Sequence, residues 1–73
     1  MELPEMQPVA SSNVQSIGYD ENTETLYIRF LNGSLYIYKN VPIMVYEQLL
    51  GAPSVGSYMH RNIKGVFPYE RIE

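Results

Sequence analysis

No cysteine occurs among the 73 residues, and that single absence removes disulfides, thiolate-bound zinc and thiol catalysis together. One histidine is present. His60 has neither a second imidazole nor carboxylates at ligand spacing beside it, so no metal site is expected there. Asp20, Glu21 and Glu24 bunch in one stretch, but the glycine and the full acidic spacing of a calcium loop are missing, and the cluster reads as a solvated turn. The serines have no strand-to-helix elbow and no partner base, so hydrolase chemistry has no foothold. Long apolar runs are lacking too, far short of the ~20 residues that span a bilayer. Met1–Pro8 carries two acids, two prolines and no basic residue ahead of an apolar stretch, unlike a secretory signal. The expectation is a cytoplasmic, non-enzymatic protein with no metal, no small-molecule cofactor and no membrane partner.

Positive charge is scarce and unevenly placed. The net charge is −3, yet residues 1–24 hold five acids (Glu2, Glu5, Asp20, Glu21 and Glu24) and no Lys or Arg. All five cations, Arg29, Lys39, Arg61, Lys64 and Arg71, fall in the remainder. A strongly basic nucleic-acid binder clusters Lys and Arg to neutralise phosphates, so any such contact here is local and weak. What the chain has in quantity is aromatic side chains, seven Tyr and two Phe. A domain this small buries roughly 60% of its unfolded surface and is marginally stable. Without disulfides it depends on dense aromatic packing or on self-association, and each buried ring removes ~150–250 Å² from water.

Residues 1–10, with Pro4, Pro8 and acids but no periodicity, read as a flexible or loosely docked N-terminal arm, and residues 11–73 as one folded domain. Val14–Tyr19 reads as a first strand with Ile17 and Tyr19 on one face. Asp20–Glu24 supplies turn formers. Thr25–Leu31 and Ser34–Lys39 are alternating apolar runs around Asn32-Gly33, which marks a β-hairpin. Connections this short exclude parallel crossovers. Pro42 opens a helix that runs to about Leu50 and is closed by Gly51, with Ile43, Tyr46, Leu49 and Leu50 as its buried stripe and Met44, Glu47 and Gln48 facing water. Ser54 caps a second helix in which Val55, Tyr58, Met59, Asn62 and Ile63 recur at helical spacing until Gly65. Val66–Tyr69 is an extended apolar segment that lays Phe67 or Tyr69 across the sheet or helices. The fold class is α+β, a three-stranded antiparallel β-meander followed by two short α-helices packed on one face. Its expected core is Leu26, Ile28, Phe30, Tyr46, Leu49, Leu50, Met59 and Ile63.

One residue of loop length decides which aromatic pair is exposed. A two-residue turn at Asn32-Gly33 sends Tyr36 and Tyr38 outward beside Tyr27 and Arg29, a platform on which RNA bases could stack. A three-residue loop with Gly33 left-handed instead places both tyrosines on the core face, with Phe30 opposite Ser34. The second geometry buries more aromatic surface in a chain short of core. A second candidate is the helix face formed by Ser57, His60, Arg61 and Lys64, at i, i+3, i+4 and i+7. That face offers an anion or phosphate-backbone contact. The same cations also offset the helix dipole, worth ~0.3–1 kcal/mol each, and need no ligand to do so.

In order along the chain stand Ser11-Ser-Asn-Val14, Gly18-Tyr-Asp20, Leu26 to Phe30, Asn32-Gly33, Tyr36-x-Tyr38, Val41-Pro42, Tyr46, Leu49, Ala52-Pro-Ser-x-Gly56, Tyr58, Arg61-Asn-Ile63 and Pro68-Tyr69. This series resembles the KTSC domain over roughly residues 11–72. That family is named for the C-terminal extension of certain lysyl-tRNA synthetases and also occurs as short stand-alone bacterial and phage proteins. Its hallmark is the central Tyr-x-Tyr. The resemblance implies no established activity, with RNA binding a suggestion drawn from the synthetase context, and fold analogy alone supplies no mechanism. The family pattern tends to place polar residues between the apolar alternates of the third strand, at positions that Leu35 and Ile37 occupy here. With the tyrosines inside, these two would form an apolar outer strip suited to a protein partner or a homodimer. Two readings therefore follow from the sequence, a weak RNA-binding module and a protein-interaction or self-associating module.

Overall fold

The structure, a computed structural model, describes residues 3–73. Five strands form one antiparallel sheet in the order β1 (Gln7–Pro8), β2 (Val14–Asp20), β3 (Thr25–Phe30), β4 (Leu35–Tyr38) and β5 (Tyr69–Arg71). Helices α1 (Ile43–Leu50) and α2 (Val55–Asn62) stand between β4 and β5 in the chain. The fold is α+β as expected, with two more strands than the meander read from the sequence. Both additions are edge strands of two and three residues, too short for alternation to show. Pro8 is tolerated in β1 because an edge strand has a backbone side with no ladder partner.

The central hairpin closes by the longer of the two loops. Phe30 N–H donates to Ser34 O at 2.9 Å and Gly33 N–H to Phe30 O at 2.9 Å, and Gly33 takes φ 93. Ile28 therefore pairs with Tyr36, and Leu26 with Tyr38. Both tyrosines stand on the helix side of the sheet. In β2 a bulge between Val14 and Ser16 lets Val14 and Ile17, three residues apart, share that same face, which strict alternation forbids.

The core lies between this face and the helices. Val14, Ile17, Leu26, Ile28, Tyr38 and Val41 meet Leu49, Val55, Met59 and Ile63. Phe30 and Tyr46 pack against the cluster half-buried. Leu50 is a correction, since it is 39% exposed, as is Ile43 at 45%. An eight-residue helix touching the core mainly through Leu49 shows a narrower apolar stripe than its sequence suggests. In α2, Ser54 Oγ accepts from Ser57 N–H, the cap read from the sequence, and Asn62 is exposed. Tyr19 stacks on Tyr46 with centroids 5.1 Å apart, and its hydroxyl donates to Val41 O.

The outer face is covered as well. Gly18, Tyr27 and Ile37 lie side by side across β2, β3 and β4. A Cβ at Gly18 would stand 2.6 Å from Met6 Sδ and 3.0 Å from Glu5 O. The segment read as an arm thus crosses the sheet at Gly18 before pairing as β1. Leu35 is completely buried and Ile37 half-buried, so the outer apolar strip expected from Leu35 and Ile37 is not displayed. The sequence offered no signal for this cover, because an irregular proline-containing segment carries no period.

Candidate nucleic-acid interface

The helices leave the β4–β5 end of the core face partly open, and aromatic rings collect there. Tyr36 meets Phe30 edge to face with centroids 5.4 Å apart. Tyr69, brought opposite Tyr38 by the β4–β5 pairing, stacks on Tyr36 at 6.0 Å and leans on Tyr38 at 5.8 Å. The depth of the rings differs sharply. Tyr38 is 3% exposed and Tyr69 is 63% exposed, with Tyr36 between them. Burial first, then the neighbouring Tyr36 and Tyr69 hydroxyls, raise the Tyr38 pKa above its ordinary value. These rings wall an open groove of about 510 Å³ whose other lining residues are Asn32, Ser34, Lys64 and Gly65.

A second cleft opens beside it. Ser57, His60, Arg61 and Lys64 line it together with Ser12, Asn13, Ser54 and Gly56. Ser57, His60 and Arg61 of α2 and Lys64 in the turn that follows it are all exposed, and neither the two cations nor the imidazole form an ion pair among the described residues, where the pairs are Arg29–Glu73 and Lys39–Glu70. Lys64 lines both clefts. The basic helix face and the aromatic groove, read separately in the sequence, therefore meet at one side chain.

Arg29 does not join them. It lies on the opposite face of the sheet, across from Leu35, where its Nη1 donates to Glu73 Oε1 at 2.6 Å and to Gly33 O at 2.9 Å. Tyr27, on that same outer face, is buried at 6% exposure. The platform of Tyr27, Arg29, Tyr36 and Tyr38 is thus not assembled, because the three-residue loop puts the two pairs on opposite faces. Sequence reasoning missed Phe30, Asn32, Ser34 and Tyr69 as groove residues. Only the length of the Asn-Gly loop pointed to them, by turning the tyrosines toward Phe30. Among the described residues no group of three His, Asp or Glu could hold a metal ion, and no helix is long and apolar enough to cross a membrane.

Comparison with known proteins fits this layout. Over 70 residues the chain is 42% identical to a lysine–tRNA ligase of Nostoc sp., covering 96% of this chain but only 12% of that protein. It is 40% identical over 62 residues to a small protein of Tsukamurella paurometabola, covering 85% of this chain and 92% of that one. The crystal structure of a KTSC domain protein from Yersinia pestis superposes with a TM-score of 0.88 at 37% identity, covering 94% of this chain and 97% of the other. The sequence profile of the KTSC domain matches residues 10–67, and with that match the chain belongs to the KTSC domain family.

Proposed function

We propose that this domain binds single-stranded RNA weakly, seating an unpaired base in the aromatic groove and the adjoining phosphates along Lys64 and Arg61. The observation that carries the reading is the meeting of the two clefts at Lys64. Exposed Tyr69 and half-buried Tyr36 offer ring faces for stacking, which serves any base because every base has a π-face. Among the described residues, His60, Arg61 and Lys64 hold no acidic partner that a phosphate would have to displace. Kinship with proteins named lysine–tRNA ligase supports RNA over DNA.

Titration with short single-stranded oligoribonucleotides tests this, followed by tyrosine fluorescence, since the chain has seven Tyr and no Trp. Binding should weaken steeply between low and physiological salt, with a slope of about −0.7 per phosphate contact. Arg61→Ala should lower affinity and flatten the slope, and Tyr69→Ala should lower affinity with the slope intact, both keeping the wild-type circular dichroism. Oligonucleotide-independent spectra at both salt concentrations would refute the reading and leave the cations as helix-dipole partners.

A further inference from the structure

The polar rim of the aromatic groove has a fixed hydrogen-bonding sense. Asn32 Oδ1 accepts from Ser34 N–H at 3.0 Å and from the Ser34 hydroxyl at 2.6 Å. A backbone N–H can only donate, so the Asn32 atom turned toward it must be the amide oxygen. That oxygen is occupied twice over. The amide nitrogen, with two N–H groups, makes no hydrogen bond among the described residues, and Asn32 itself is exposed. Lys64 lines the same groove together with Asn32, and an ammonium also offers donors alone. Ser34 is buried and its hydroxyl hydrogen is spent on Asn32. The tyrosine hydroxyls both donate and accept, so they do not discriminate.

A ring stacked beside Asn32 and Lys64 thus meets donors. Guanine presents two adjacent acceptors, O6 and N7, whereas adenine presents the N7 acceptor beside the N6 amino donor. An asparagine pairs with adenine through both amide atoms, oxygen from N6 and nitrogen to N7. Asn32 has no oxygen left for that. We infer that the groove selects an unpaired guanine over adenine, with Asn32 as the residue that sets the choice. This deepens the RNA-binding reading and rests on it.

The test compares two pentanucleotides, UUGUU and UUAUU, at one salt concentration, against the wild-type chain and Asn32→Asp. The aspartate carboxylate keeps both bonds from Ser34, so the loop holds, while the groove gains an acceptor in place of two donors. Wild type should bind UUGUU tighter by about five-fold or more, the lower end of what one such pairing confers. Asn32→Asp should weaken both through its charge and erase or reverse the ratio. Equal wild-type affinities, or a guanine preference that survives in Asn32→Asp, would overturn the inference and leave RNA binding standing. Binding of neither oligonucleotide overturns the RNA-binding reading and this inference with it.

Discussion

Glu24 holds a left-handed backbone, φ 53, at the end of the connection that joins Asp20 to its ladder partner Thr25. Its carbonyl accepts from Val41 N–H at 2.8 Å, which ties that conformation to the start of the helical half. A left-handed residue with a Cβ costs roughly 1–2 kcal/mol, part of which glycine returns through its freer unfolded state. Glu24→Gly should therefore raise stability by about 0.5 kcal/mol, read as a higher urea midpoint at unchanged slope. Gly33→Val should do the reverse, losing about 1–2 kcal/mol, although nothing within 4 Å would touch its Cβ. The contrast separates backbone strain from crowding. Gly33 was legible in the sequence because Asn-Gly between alternating runs demands a positive φ. Glu24 was not, since a glutamate in a charged turn carries no conformational mark.

The two helices show how unevenly an element contributes. Leu49 is fully buried between the sheet and α2, while Leu50 beside it is 39% exposed. Leu49→Ala should cost about 2–5 kcal/mol, a large share of the 5–15 kcal/mol typical of a domain. Leu50→Ala should stay within about 1 kcal/mol, and thermal melts of the pair check both. Elements with a clean period were legible: β2, β3, β4 and the Ser54-capped α2 stand where alternation and capping put them. Elements made by partners rather than by pattern were not. β1 and β5 exist because Ile17 and Tyr38 present open backbone to Gln7 and Tyr69, and a strand of two or three residues leaves no trace of its own. The groove shared that fate, as its walls come from β3, β4, the turn after α2 and β5.

For the molecule as a whole, tyrosine is both the packing material and the point of chemical weakness. Burial raises the pKa of Tyr38, of Tyr46 with Glu5 adding to it, and of Tyr19 with Glu24, Glu21 and Asp20 adding to it. The folded state therefore keeps these hydroxyl protons to higher pH than the unfolded chain does, and their contribution is complete below the ordinary tyrosine value of 10.0. As pH climbs past that value the unfolded chain ionises first, so stability falls through the folded pKa values. Melting temperatures should hold level from pH 7 to 9 and drop steeply above about 10, and Tyr38→Phe should make the drop shallower. The placement of β5 carries a separate consequence, for the order of assembly. Tyr69 pairs with Tyr38 across the whole of α1 and α2, a closure of some thirty residues set against the tight hairpins of β2, β3 and β4. The ring that faces solvent in the groove thus arrives after the rest of the wall has formed, and it is the first to leave when the sheet edge frays.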